Sequence, residues 1–356
     1  MKMKIIVTGG AGFIGSHVSE YYARRGHEVK VIDNLSRSKI FNLNKKISMY
    51  NWKYLKDNYD NITLIRGDIR DYKFLEKHSK DADIIIHTAA QTAVTTSITD
   101  PRTDFETNTL GTFNVLEAAK RAKNKPVIIF CSTNKVYGNN VNKIPVEEGE
   151  LRYKFSEKKF QKGIPESFPV DLCEHTPYGA SKLAADIYVQ DYAERNEIDA
   201  AVFRMSCVYG TRQFGVEDQG WVSWFTIATL SGKPLTIYGN GKQVRDVLFI
   251  TNLVEVFDAF IKKRDKLHFG VYNMGGGTKN TLSLLELLDL IKRETGKIPK
   301  IRYDNWRPSD QKIYISDISK ATNHLNWTPK TSPEEGIKKL IEWIKEKNIL
   351  KYFDLK

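Results

Sequence analysis

Cysteine is scarce in this chain. Three residues in 356, Cys131, Cys173 and Cys207, are scattered and odd in number. That excludes a disulfide-stapled framework, and with no Cys-x-x-Cys pair or His/Cys cluster no metal is expected. A reducing, cytoplasmic compartment is the simple reading. No apolar run approaches the ~18 residues of a membrane span, so no membrane insertion is expected. The chain starts Met-Lys-Met-Lys and enters the strand-like IIVTGG directly, so no signal peptide is expected ahead of the fold. Internal repeats, low-complexity tracts and heptad arrays are also missing, which sets aside solenoids and coiled coils. Net charge is +12, yet the basic stretches KRAKNK at 120–125 and KKRDK at 262–266 lack interleaved aromatics. They read as solvated helix faces, and nucleic acid is not an expected partner.

What is present is ordinary globular composition, 41% hydrophobic and 28% charged, with length for one large or two fused domains. Short apolar runs alternate with helical patterns. KIIVT at 4–8, EVKVI at 28–32, NITLIRG at 61–67, DIIIH at 83–87, VIIFC at 127–131 and AAVFRM at 200–205 read as strands. Helices are expected at 13–25, 105–123 and 178–196. Nearly continuous β-branched strands with helices between them indicate an α/β fold, a doubly wound parallel sheet covered on both faces. The second half is mixed, with strands at 235–239, 247–250 and 271–275 and helices at 251–263, 281–294 and 333–347. It reads as a smaller mixed α/β substrate-binding domain. The expected division is 1–205 plus about 241–273 for the cofactor, and about 206–240 plus 274–356 for the substrate. The polar segments 36–60 and 139–176 read as long loops.

Gly9, Gly12 and Gly15 stand in TGGAGFIG between a strand and a helix. Glycine permits the tight turn and lets a pyrophosphate approach the backbone N–H groups of the helix start. The spacing departs from Gly-x-Gly-x-x-Gly, so the strand–helix context carries the reading. Asp33 ends the next strand, where a carboxylate grips ribose hydroxyls and favours NAD over NADP. Arg37 nearby weakens that preference slightly. Asp68 and Ile69 in GDIRD could edge the adenine, and the dinucleotide could lie over the small Ala89 and Ala90 in HTAAQ. Asn108 in ETNTLGT reads equally as a cofactor-related residue and as a buried amide bonding backbone.

Tyr178 and Lys182 in YGASK lie four apart and share one helix face. A phenol with a pKa of roughly 10 is a poor base at neutral pH. A neighbouring ammonium and a positively charged nicotinamide would favour the phenolate and lower that value. The pair could then take a proton from a sugar hydroxyl. Thr133 in CSTNKVYG could donate and accept beside it.

TGGAGFIG, Asp33-Asn34, Asn108, CSTNKVYG and YGASK together resemble the extended short-chain dehydrogenase/reductase family of nucleotide-sugar enzymes, and the likeness covers nearly the whole chain. The resemblance implies Tyr178 as proton-transferring base, Lys182 as its partner on the nicotinamide ribose, and Thr133 on the reacting hydroxyl. It extends the cofactor set to Phe13, Ile14, Asn34, Ser36, Gln91, Ser132 and Met205. Dehydratases of the family resemble STDEVYG and use the acid pair to eliminate water. Here Asn134-Lys135 offers neither carboxyl group. Ser206 stands where family 4-epimerases usually carry an asparagine, which counts against a plain UDP-galactose 4-epimerase. Arg245 and Arg307 match diphosphate-binding arginines, whose guanidinium fork suits phosphate. Asp310 would accept from the nucleotide ribose, and Thr236–Tyr238 would meet the base. Gln213, Gln219 and Trp221 are candidates for the sugar pocket, with core packing and surface solvation as the alternatives.

Within the family, NLSR at 34–37, TTSITDP at 95–101, RQF with DQGWVSWF at 212–225 and GNGKQVRDVL at 239–248 are closest to enzymes of CDP-linked sugars. The implied activity is an NAD-dependent epimerase inverting carbon 2 of a CDP-linked 3,6-dideoxyhexose. A UDP- or other NDP-hexose 4-epimerase is the alternative. A homodimer or homotetramer is implied, with the helices at 105–123 and 178–196 as interface candidates.

Overall fold

The computed structural model describes residues 2–307 and 309–353. They form two compact units. The first comprises Met1–Val136, Thr176–Arg204 and Val254–Tyr272; the second comprises Tyr137–His175, Met205–Leu253 and Asn273–Lys356. Relative to the expected boundaries, residues 137–175, 205, 241–253 and 273 cluster with the second unit.

The seven strands of the main sheet are β1 (Lys4–Thr8), β2 (Glu28–Asp33), β3 (Ile62–Arg66), β4 (Ile84–His87), β5 (Val127–Thr133), β6 (Ala200–Met205) and β7 (Phe269–Met274). Their order is β7-β6-β5-β4-β1-β2-β3. β1 pairs in parallel with β2 and β4, β2 with β3, and β4 with β5. Val7, Ile84, Ile86 and Ile129 are wholly buried, as strands covered on both faces require. The doubly wound parallel sheet read from the sequence is therefore observed. The strand order reverses between β1 and β4, and the carboxyl ends of those strands are where an open α/β sheet offers a ligand crevice.

Helices α1 (Phe13–Ala23), α2 (Lys45–Asn58), α3 (Tyr72–Ser79), α4 (Pro101–Phe105), α5 (Gly111–Lys120) and α6 (Pro177–Glu194) belong to the first unit. Two of these correct the sequence reading. The polar segment 36–60 is not a loop: it holds a helical turn at Arg37–Ile40 and then α2. Asn44 caps α2 by accepting from the Lys46 N–H, and Ile47, Ser48, Asn51 and Leu55 form its buried face. The continuous helix expected at 105–123 is instead α4, a π turn at Glu106–Leu110, and α5. A π turn widens the helix by one residue and re-aims the side chains around it.

The second unit is mixed, as expected. Leu235–Tyr238 pairs in parallel with Ile301–Asp304. Val244–Phe249 pairs with Cys207–Tyr209, Thr281–Ser283 and Ile313–Tyr314. Helices run over Trp221–Ser231, Leu284–Thr295 and Pro333–Glu346. Among the described residues no helix is long and apolar enough to cross a membrane.

Candidate active site

The turn after β1 is built for close backbone approach. Gly9 has φ +65°, and a Cβ placed on it would lie 2.7 Å from the Ala89 Cα, after β4. A Cβ on Gly15 would lie 2.3 Å from the Gly9 carbonyl oxygen. Gly12 donates to that same carbonyl at 2.9 Å and carries no side chain to cap α1. The first N–H groups of α1, at Phe13 and Ile14, are thus left for an anion. Asp33 holds the turn from the far side: its carboxylate accepts from the Ala11 N–H at 2.9 Å and the Leu35 N–H at 2.8 Å. Burial pushes the Asp33 carboxyl upward, and those backbone bonds oppose the rise. The residues present fit a dinucleotide: a side-chain-free turn, an open helix start and an acid at the end of β2.

The flanking candidates are organised by one another. Asn34 donates to Asp68 at 2.9 Å and accepts from the Ser36 N–H at 3.0 Å. Burial raises the Asp68 carboxyl, but the Arg70 and Asn34 bonds outweigh it and take it down to about 2. Burial also lowers Arg37 to about 10, and its guanidinium lies 4.8 Å over the Phe41 ring. Ile69 is buried, and Ala89 and Ala90 are half-buried after β4. Met205 ends β6.

Tyr178 and Lys182 lie in the first turns of α6, whose start is fixed by Thr176 accepting from the Gly179 N–H and by Pro177. Ser97 accepts from the Tyr178 N–H at 3.1 Å. The Thr133 hydroxyl faces the Tyr178 phenol and favours its ionised form; it donates to Asn134 Oδ1 at 3.4 Å and accepts from the Lys135 N–H at 3.2 Å. The Lys182 amine donates to the Cys131 carbonyl at 2.6 Å and lies 4.2 Å from the Phe130 ring centre. Burial brings Lys182 down to about 8, opposed by Cys131, Asp186 and Asp104. The phenol departs from the sequence expectation. Burial pushes Tyr178 up to about 12; the Thr133 hydroxyl pulls it down, while Asp104 and Cys131 add to the rise. Desolvation of the phenolate thus sets the direction in the protein alone.

Three expected cofactor contacts spend their polar atoms inside the protein. Ser132 donates to Asp186 at 2.6 Å. The Gln91 amide donates to Asp104 at 3.0 Å and to the Ala93 carbonyl at 2.9 Å. Asn108 exchanges bonds with the Gln91 backbone at 2.9 and 3.0 Å. Sequence reasoning missed Asp104, Ser181 and the buried Asp186–Arg204 pair. Asp104 lies four residues before Asn108, a same-face spacing that could have flagged it.

In the second unit Arg245 and Asp310 are brought together, Nη2 to Oδ1 at 2.7 Å. Arg307 bonds Asp218 at 3.1 Å and stacks 4.0 Å over the Tyr238 ring, whose hydroxyl donates to Glu217 at 3.1 Å. Thr236 pairs with Arg302 in the two-stranded sheet. Ser206 donates to the Asp246 carbonyl at 3.1 Å. Gln213 is buried and donates to the Val208 carbonyl at 3.2 Å, and Gln219 closes a small turn with Val216. Trp221 donates to the Cys207 Sγ at 3.1 Å and meets Phe225 edge-on. Among the described residues no group of three or more His, Cys, Asp or Glu is arranged to hold a metal ion.

Known proteins are similar to this chain over nearly its whole length. The family described as GDP-mannose 4,6 dehydratase matches residues 6–340. CDP-paratose 2-epimerase of Salmonella typhi is 39% identical over 352 residues, spanning 96% of this chain and 99% of that one. A putative UDP-glucose 4-epimerase of Methanocaldococcus jannaschii is 31% identical, over 97% of this chain and 99% of its own. The crystal structure of UDP-glucuronic acid 4-epimerase from Bacillus cereus, in complex with UDP-glucuronic acid and NAD, superposes with a TM-score of 0.80 at 29% identity, over 97% and 99% of the two chains. With one family matched across most of its length, the chain belongs to the GDP-mannose 4,6 dehydratase family of extended short-chain dehydrogenase/reductases.

Proposed function

We propose that the chain is an NAD-dependent nucleotide-sugar epimerase that inverts carbon 2 of a CDP-linked 3,6-dideoxyhexose, converting CDP-paratose to CDP-tyvelose. The observation that carries the chemistry is the convergence of Tyr178 and Lys182, on the first turns of α6, with the Thr133 hydroxyl at the end of β5. The choice of sugar rests on the 39% identity to a CDP-paratose 2-epimerase. NAD is the cofactor, and when bound it supplies a reversible hydride acceptor together with a positive charge. Tyr178 Oη takes the proton of the sugar hydroxyl, with Thr133 bonding the same oxygen and able to pass the proton on. Lys182, as ammonium, offsets the negative charge that develops on Tyr178. The sugar turns its other face as a planar ketone, and Tyr178 returns the proton. Asn134 and Lys135 bear no carboxyl group to eliminate water, which supports epimerisation over the dehydration after which the family is described. Arg245 and Arg307 are proposed to bind the diphosphate, with Asp310 fixing Arg245. No net redox change accumulates, so the cofactor stays bound from one turnover to the next.

A second reading, 4-epimerisation of a UDP-hexose, is favoured by the Methanocaldococcus jannaschii and Bacillus cereus relatives. The same groups would act at carbon 4. Incubation with CDP-paratose, UDP-glucose and UDP-glucuronic acid, with products resolved by NMR, separates the two. CDP-paratose alone is expected to convert; conversion of only a UDP-sugar rejects the first reading. Tyr178→Phe is expected to lower turnover by at least ~10²-fold while NAD remains bound. The free thiols Cys131, Cys173 and Cys207 support a cytoplasmic location. Exposed Phe105, Leu110, Ile187 and Tyr188 support a homodimer through α4–α6.

A further inference from the structure

Lys182 feels two buried carboxylates, Asp186 and Asp104. Asp186 is matched by a cation: Arg204 reaches one oxygen through Nε at 3.0 Å and the other through Nη2 at 3.1 Å. Ser132 and Gln190 complete its bonds. Asp104 is different. It is fully buried, and its oxygens are bonded by neutral donors: Gln91 Nε2 at 3.0 Å, Asn108 Nδ2 at 3.2 Å, and the Ser181 hydroxyl. Among the described residues no Lys or Arg bonds it directly. A carboxylate buried without a bonded cation is costly: burial pushes the Asp104 carboxyl upward, and the Ser181 bond, the Lys182 charge and the Asn108 bond oppose the rise.

The bonds lead to the catalytic turn. Ser181 stands between Tyr178 and Lys182, accepts from Asn108 Nδ2 at 3.1 Å and lies 3.1 Å from the Tyr178 carbonyl. The π turn at Glu106–Leu110 brings Asp104 and Asn108 to that one serine.

We propose that Asp104 is a positioning residue for the catalytic turn of α6: its carboxylate anchors Ser181 and its uncancelled charge keeps the Lys182 amine in the ammonium form. The proposal rests on the reading of Tyr178 and Lys182 as base and partner. The other groups facing Lys182 are Cys131 on β5, Asp186 on α6 and His87 on β4. Those facing Tyr178 are Thr133 and Cys131 on β5, and Asp100 faces Asp104 from before α4. A negative charge stabilises a protonated amine and disfavours a phenolate. Removing it therefore lets both groups lose their protons at lower pH.

The test is the titration of Lys182 in the full chain, followed by NMR of isotope-labelled lysine Cε, with Lys182→Arg assigning the signal. In the native protein the signal should move near pH 8, as burial sets it. Asp104→Asn should lower that midpoint by about half a pH unit or more, and Asp104→Glu should leave it near the native value. Asp104→Ser carries the same test should Asp104→Asn not fold. The alkaline limb of the kcat profile should move in the same direction. An unmoved Lys182 midpoint in Asp104→Asn or Asp104→Ser overturns the proposal. Undiminished turnover in Tyr178→Phe would instead overturn the catalytic reading, and the NMR titration would still report on Asp104.

Discussion

At the residue scale, the most informative fact is that Lys182 is 2% exposed and has its amine committed to a backbone carbonyl. Its pKa of about 8 lies below the ordinary 10.5. The folded protein therefore binds this proton less well than the unfolded chain does. The resulting penalty is full below pH 8, shrinks as pH rises from 8 to 10.5, and is gone above that window. Lys182→Met removes it. The variant should be inactive yet more stable than the native protein at pH 7, by about 3 kcal/mol at most. Denaturant unfolding at pH 7 and pH 10 checks this: the excess should narrow at the higher pH. Tyr178 shows the complementary cost. Its phenol sits at about 12 in the protein alone, so the base needs positive charge beside it to work near neutrality.

At the scale of elements, what the sequence revealed depended on how much local chemistry each segment carried by itself. The strands β1, β4 and β5 were legible because runs such as KIIVT and VIIFC are apolar on both faces. The glycine turn and the Tyr178–Lys182 face were legible for the same reason, since each is a short string with its own geometry. Helix α2 was not, because two of its four buried positions are Ser48 and Asn51, which blunts the apolar period. The helix Trp221–Ser231 hides differently: Val222, Phe225, Ile227, Ala228 and Leu230 are buried around its circumference, so no stripe exists. The π turn and the Asp104 network depend on partners on α6 and on Gln91, distant in sequence, and no local string encodes them. The cap that defines α2 is testable. Asn44→Ala should destabilise the protein by about 1 kcal/mol in chemical denaturation and leave NAD binding unchanged.

At the scale of the whole molecule, four of the exposed large apolar side chains, Phe105, Leu110, Ile187 and Tyr188, lie on α4, the π turn and α6. Phe105 is 54% exposed, Ile187 52% and Tyr188 42%. Tyr188 also meets Phe113 of α5 edge-on. In the proposed homodimer a second copy seated on this surface buries them: light scattering should give the native protein twice the chain mass and Tyr188→Glu the mass of a monomer. A monomeric native protein, or a mass that Tyr188→Glu leaves unchanged, would refute this interface. The order of the main sheet has a different bearing, on how the chain is made. Strand β7 (Phe269–Met274) lies at the margin beyond β6 (Ala200–Met205), although residues 206–268 separate them in sequence. While a ribosome is still translating that interval, the buried, apolar β6 has no neighbour on its outer side, and its bare N–H and C=O groups are a template for other nascent chains. Newly made protein is therefore most vulnerable to aggregation in the interval between the appearance of β6 and that of β7, and chaperone capture during synthesis should be concentrated there.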